Sequence, residues 1–364
     1  MPPSQFTPFL PPDRPNPGRP GFALPDFDEN PFLVIWEATR ACALACKHCR
    51  AEAHPLPDPA QLDAKACELL IDQVAEAAPS LFVITGGDPM CRPDLLHLIR
   101  TASGRGLRVC LSPSATPRLM RTDFETLRGA GVAGMSLSLD GPDRASHDAF
   151  RGVPGTWDRS MEILRRAKQA DIPVQINTTI DAGNIGKFTA FSELMGELQP
   201  STWSIFLLVP MGRATRSQLP DARDVETFFE NLAVLSDSVP FRIKTTDGQH
   251  FRRVLLQRSS HQKARSALLS PTTNAGRGFA FISHTGEIFP SGFLPISAGN
   301  IRKNRLLDVY RSHVLFKTLR KSAALKGKCG RCEFNDVCGG SRARAYAMSR
   351  DMMAADPLCA YQPN

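Results

Sequence analysis

The stretch that decides the fold is Phe32-Leu-Val-Ile-Trp-Glu-Ala-Thr-Arg-Ala-Cys42-Ala-Leu-Ala-Cys46-Lys-His-Cys49. Its first five residues are bulky and strand-forming, and a loop with three closely spaced thiols follows directly. Working outward, the alternation returns. Helical text at 60–78, with apolar residues at 62, 66, 69, 70 and 74, leads to Leu81-Phe-Val-Ile-Thr85 and then Gly86-Gly87. Further helices are predicted near 93–103, 117–129, 157–170 and 186–198, and further strands over 107–111, 134–139, 174–180 and 204–209. Six β-then-α repeats between about 32 and 236 imply parallel strands with helical crossovers. A closed barrel of this type takes eight repeats, so six predict a partial one, with its chemistry at the C-terminal ends of the strands. The unusual residues fall at those ends: the thiols after the first strand, the glycine pair after the second, Asp140-Gly141-Pro142 after the fourth and Pro210-Met-Gly-Arg213 after the sixth.

The 364 residues are 42% hydrophobic and 22% charged, ordinary for a globular protein of one large or two to three smaller domains. No run approaches the ~18 apolar residues of a membrane span, which excludes an integral helical membrane protein. The first twenty residues have neither a basic start nor an apolar core nor a small-residue cleavage site, so no secretory signal is read and a cytoplasmic location is expected. Residues 1–30 carry nine prolines and should form an extended arm. Beyond 240 the alternation stops. Residues 279–290 read as a hairpin around Thr285-Gly286, and a helix is predicted over 306–320. The net charge of +8 favours anionic partners. Residues 302–331 hold ten Lys or Arg and one acid, Asp308, which suits a solvated face or a docking surface for an acidic protein. They lack the interleaved aromatics of a base-stacking groove, so nucleic acid is not expected as a partner.

Ten cysteines in a chain read as cytoplasmic point to metal or redox chemistry, not to a disulfide framework. Cys67, Cys91 and Cys110 stand singly in apolar or helical text and read as small hydrophobes. Cys42, Cys46 and Cys49 form the first group. His48 is adjacent to Cys49, and neighbours cannot easily both turn onto one metal. Three thiolates on a cubane leave one iron without a protein ligand, and an open metal position is a place for chemistry. Cys329, Cys332, Cys338 and Cys359 form the second group. Four thiolates close either a zinc site or a [4Fe–4S] cluster, and spacing alone does not separate these.

Cys-x3-Cys-x2-Cys after the first strand, with Thr85-Gly86-Gly87-Asp88-Pro89 ending the second, resembles the radical S-adenosylmethionine (SAM) superfamily. Ser138-Leu-Asp-Gly-Pro142, His147-Asp148 and Arg151-Gly152 resemble the text after the fourth strand in members with a C-terminal SPASM extension. The resemblance covers about residues 30–360 and implies an α/β fold: a partial (β/α)6 TIM-like barrel with a small C-terminal iron–sulfur, SPASM- or twitch-like, domain. The division it suggests is an arm over 1–30, a core over 31–240 and an auxiliary cluster domain over 241–364. It implies that Cys42, Cys46 and Cys49 hold a [4Fe–4S] cluster whose open iron is chelated by SAM. Gly86, Gly87, Asp88 and Pro89 would form the turn that meets the SAM amino group, and Ser138 and Arg151 its carboxylate or ribose. His48, where an aromatic is common, and Asp88, where glutamate is common, are mild departures.

The second group resembles the second cluster set of a SPASM domain. The first set is missing: Asn274, Ser291 and Arg342 stand where its cysteines would be. One auxiliary cluster is therefore expected, and two in total. The implied reaction is reductive cleavage of SAM to a 5′-deoxyadenosyl radical that takes hydrogen from a substrate, with an electron donor such as flavodoxin or ferredoxin. For the substrate, Cys338-Gly-Gly-Ser-Arg-Ala-Arg-Ala-Tyr346 resembles enzymes of haem d1 synthesis and the alternative haem pathway, and Arg213, Arg216, Arg342 and Arg344 could pair with propionates. Peptide or protein modification is the alternative. A non-catalytic iron–sulfur or zinc scaffold for an acidic partner is the reading from another class.

Overall fold

The computed structural model describes residues 26–259 and 272–363, so the proline-rich arm up to residue 25 lies outside the described residues. Its strands are β1 (Leu33–Glu37), β2 (Leu81–Thr85), β3 (Val109–Leu111), β4 (Val132–Ser138), β5 (Val174–Ile180), β6 (Thr202–Leu207), β7 (Arg242–Thr246), β8 (Phe279–Ile282), β9 (Glu287–Phe289) and β10 (Gly299–Asn300). They form one sheet in the order β10-β9-β8-β1-β2-β3-β4-β5-β6-β7. Pairing is parallel from β8 through β1 and on to β7, and antiparallel from β8 to β9 to β10. The six βα repeats are present. The sheet runs one strand further at each side, with β7 beyond β6 and β8 beside β1, so residue 240 falls between two paired strands of one sheet.

The crossovers are α1 (Ala64–Ala77), α2 (Leu95–Gly104), α3 (Pro117–Arg121), α4 (Phe124–Gly129), α5 (Arg144–Arg151), α6 (Thr156–Gln169), α7 (Phe188–Leu198), α8 (Ala222–Ser236) and α9 (Phe251–Arg258). Two predicted helices are broken in the structure. The helix over 117–129 divides because Asp123 caps a new start, accepting from the Glu125 and Thr126 N–H groups. The helix over 306–320 becomes α10 (Leu306–Ser312) and α11 (Val314–Arg320), with His313 extended between them and its ring accepting from the Leu315 N–H. The hairpin at Thr285-Gly286 forms as β8 and β9, with Gly286 at φ 88°. Two short helices follow, α12 (Gly327–Arg331) and α13 (Arg342–Ser349).

Alternation along the strands sorts side chains between two environments. Val34, Trp36, Phe82, Ile84, Val109 and Leu111 pack in the main core beneath the helices. Ile176, Ile180, Trp203 and Ile205 pack in a second core with Phe191 of α7 and Val225, Phe229 and Leu232 of α8. The intervening residues face the barrel interior. Trp36 and Trp203 are fully buried, and truncating either to alanine should cost about 3–5 kcal/mol.

Candidate active site

The thiol loop hangs from β1 and is tied to the turn after β2. Gly87 N–H donates to the Thr39 carbonyl and Asp88 N–H to that of Ala41, both at 2.7 Å. A Cβ on Gly86 would lie 2.6 Å from the Thr39 oxygen, and one on Gly87 2.6 Å from both the Arg40 and Ala41 oxygens. Only glycine lets the two backbones approach so closely. The Asp88 carboxylate ties its turn to the loop after β3: it accepts from Thr116 Oγ1 at 2.7 Å, from the Ser114 N–H and, within its own turn, from the Met90 N–H. Burial raises its pKa. Pro89 opens the short turn that follows. The Asp88 side chain is thus a brace, and Ser114 Oγ donates to the Gly87 carbonyl at 3.0 Å beside it.

Cys42, Cys46 and Cys49 gather in one small cluster with Leu44, Ala53 and Val153. The Leu44 N–H points at Cys42 Sγ and the Ala53 N–H at Cys49 Sγ, each at 3.4 Å. Burial pushes the Cys42 thiol up to about 11, so it keeps its proton until a metal replaces it. Arg151, the last residue of α5, donates from Nη1 to Cys46 Sγ at 3.4 Å and stands 3.4 Å from Asp140 Oδ2. Burial would lower the Arg151 pKa, but the thiols and Asp140 raise it. Arg213 sits beside Cys49, its N–H donating to the Cys49 carbonyl at 3.1 Å. Ser138 ends β4 next to Asn177 of β5.

Around this loop stand buried polar atoms without hydrogen-bond partners: His48 Nδ1, Asp140 Oδ2, His147 Nε2, Arg151 Nε and Arg213 Nε and Nη2. Such atoms are costly unless something else satisfies them. Burial holds His48 and His147 down to about 4, so both rings are neutral at pH 7. A pocket with three thiols, two guanidinium groups and unsatisfied donors and acceptors fits a sulfur-ligated cluster carrying a zwitterionic ligand.

The second thiol group is also brought together. Cys329, Cys332, Cys338 and Cys359 line one cavity with His250, Arg253 and Lys328. Burial pushes the Cys338 thiol above its usual range. His250 is fully buried with neither ring nitrogen hydrogen-bonded, its Nδ1 4.0 Å from Asp356 Oδ2, and Arg253 Nε has no hydrogen-bond partner. Among the described residues no three His, Cys, Asp or Glu side chains are gathered closely enough for a single metal ion.

Arg342 and Arg344, expected as candidates for substrate carboxylates, are instead buried struts. Arg344 pairs bidentately with Asp356, Nη2 to Oδ2 at 2.6 Å and Nε to Oδ1 at 2.9 Å, and donates to the carbonyls of Asp247, Leu207 and Leu208. Arg342 donates to the Met352 and Ala354 carbonyls. Arg216 reaches the Ala347 and Met348 carbonyls on α13. A network missed in the sequence centres on Glu37, at the end of β1. Its carboxylate takes Arg50 Nη2 at 2.6 Å and His284 Nδ1 at 3.0 Å, and His284 Nε2 lies 2.9 Å from Asp58. Burial alone would raise Glu37, but Arg50 and His284 hold it at about 2. The signal was a charge closing an otherwise apolar strand.

The radical SAM superfamily profile matches residues 36–184. An AdoMet-dependent heme synthase of Oleidesulfovibrio alaskensis is 40% identical over 340 residues, covering 91% of this chain and 87% of the relative. The AdoMet-dependent heme synthase of Methanosarcina barkeri is 35% identical over 340 residues, covering 92% and 97%. Among solved structures, Streptococcus suis SuiB bound to S-adenosylmethionine aligns with a TM-score of 0.73 at 17% identity, over 92% of this chain and 78% of that one.

Proposed function

Because this chain belongs to the radical SAM superfamily, and is an enzyme of radical chemistry that uses SAM and a [4Fe–4S] cluster, we propose that it modifies a side chain of a propionate-bearing tetrapyrrole. The observation that supports the substrate class is the near end-to-end alignment, at 40% and 35% identity, with relatives named as heme synthases. When bound, the cluster and SAM supply a 5′-deoxyadenosyl radical able to take hydrogen from an unactivated C–H bond.

In this reading Cys42, Cys46 and Cys49 hold the cluster. The backbone of Gly86, Gly87 and Asp88 receives the SAM ammonium, with Pro89 fixing the turn. Arg151 and Ser138 orient the carboxylate or ribose, and Arg213 balances the thiolate charge beside Cys49. Burial keeps His48 and His147 uncharged at pH 7, so neither adds positive charge beside the thiols. Cys329, Cys332, Cys338 and Cys359 would hold an auxiliary [4Fe–4S] cluster, which would supply one-electron redox chemistry beside the substrate. Zinc there is the alternative. The donor is a small reduced carrier such as flavodoxin or ferredoxin. No described helix is long and apolar enough to cross a membrane.

The test is anaerobic reconstitution with iron and sulfide, then dithionite, SAM and iron coproporphyrin III. The expected result is 5′-deoxyadenosine with a matching mass change in the macrocycle, absent in Cys46→Ala. An unchanged macrocycle alongside ample 5′-deoxyadenosine refutes the substrate. About eight irons per chain support two clusters, and about four with one zinc contradict them.

A further inference from the structure

The barrel interior has two chemically different halves. On β8, β1 and β2 one inward row is apolar: Phe281, Ile35 and Val83 share a register row, with Glu37 and Thr85 two residues further along the same face. On β4 to β7 a second row is polar. Ser138 pairs with Asn177, Asn177 with Ser204, and Ser204 with Lys244. Register partners on neighbouring parallel strands point to the same face. That face is inward, because Leu137 packs in the main core while Ile176, Trp203, Ile205 and Ile243 pack on the outer, helix-covered side.

Lys244 is partly buried, and among the described residues no carboxylate acts on its charge. Cys110, whose thiolate would favour the Lys244 ammonium, keeps its proton, because burial pushes its thiol up to about 12. Burial and the neighbouring Arg242 lower Lys244 to about 8, which leaves it mostly charged at pH 7. The hydroxyl of Ser204, on the adjoining strand, is fully buried and has no hydrogen-bond partner. A sequestered cation beside an unsatisfied hydroxyl marks a place where a ligand supplies the missing acceptor.

We propose that Lys244, with Ser204 beside it, is a carboxylate-binding subsite for the substrate, and that it anchors one propionate while the apolar row of Phe281, Ile35 and Val83 receives the ring. This rests on the tetrapyrrole reading above and names the chain's own anchor for it. The row begins at Ser138, two residues before Asp140, which pairs with the Arg151 that donates to Cys46 Sγ, so a substrate held at Lys244 lies along a polar track leading toward the thiols. Lys244 is a positioning residue and does not take part in hydrogen transfer.

The experiment is an anaerobic binding titration of iron coproporphyrin III and of its tetramethyl ester, followed by porphyrin absorbance. The proteins are reconstituted wild type, Lys244→Gln and Lys244→Arg. Circular dichroism and iron content certify each variant as folded and loaded. Losing a charge-assisted bond should weaken the acid by about tenfold or more in Lys244→Gln. Lys244→Arg should retain most of the affinity. The ester should bind wild type and Lys244→Gln alike. Equal affinity of wild type and Lys244→Gln for the acid overturns the subsite and leaves the tetrapyrrole reading standing. So does an equal loss for acid and ester. Failure of wild type to bind either macrocycle overturns the tetrapyrrole reading and the subsite with it.

Discussion

Replacing Arg344 by leucine tests the strut that joins the barrel edge to the second thiol group. Arg344 and Asp356 are both fully buried and meet in two hydrogen bonds. Arg344→Leu leaves Asp356 with only the N–H groups of Ser341 and Leu358 and with His250 at 4.0 Å. It also strips a donor from the Asp247 carbonyl. Breaking a buried pair from one side costs about 3–5 kcal/mol. An unfolding entropy of about 2.1 cal/mol/K per residue, over 364 residues, amounts to about 0.76 kcal/mol/K, so a loss of about 4 kcal/mol lowers Tm by about 5 °C. The assay is calorimetry of Arg344→Leu, Asp356→Leu and the double variant at pH 7. Removing both charges should recover about half of the loss or more, because the single variants suffer mainly from the stranded partner. The sign with pH follows from Asp356: burial alone would raise its pKa, but Arg344 holds it far below the usual carboxylate range. The pair's stabilisation is therefore complete above ~4 and fades as pH falls through the depressed value. A double variant whose loss equals the sum of the single losses would refute the argument.

Gly87→Ala should separate the turn from the thiol loop, since its Cβ meets two carbonyl oxygens at 2.6 Å. We expect a Tm lowered by about 1–3 kcal/mol equivalent and 5′-deoxyadenosine formation down by about a hundredfold, measured by chromatography. Cys338→Ala should cut reconstituted iron from about eight to about four per chain by colorimetric assay. For His284, burial would lower the pKa, but hydrogen bonds to Glu37 and Asp58 raise it above the model-peptide value. Its stabilisation is full below ~6.5 and is lost as pH rises through the raised value. His284→Gln should therefore narrow its deficit in Tm between pH 6 and pH 9, and a deficit constant with pH contradicts the ion pair.

Much of the barrel was legible because its strands bury one face under helices. β1, β2 and β6 read as largely apolar runs flanked by turns, β5 as an alternation of apolar and polar residues, and the glycine pair marked the end of β2. β7 was not legible: Arg-Ile-Lys-Thr-Thr presents polar residues to the interior and a single isoleucine to the core. The hairpin of β8 was read locally, but its parallel pairing with β1 is a contact between distant parts of the chain that no local pattern encodes. The breaks at Asp123 and His313 depend on side chains capping N–H groups, which apolar periodicity does not weigh. Both thiol groups were legible by spacing. The roles of Arg342 and Arg344 were not, since arginine text looks the same whether it waits for an anion or already holds one.

The pairing of Leu33 with Phe279 also sets a timetable for biosynthesis. The first strand leaves the ribosome early, yet its second neighbour is made roughly 12 to 50 s later at about 5–20 residues per second. Until then Glu37 lacks His284, and the segment bearing Cys42 has no completed floor. Iron and sulfide delivered to the nascent chain would meet unshielded thiols, so maturation of the metallocentre belongs after translation, on a finished polypeptide.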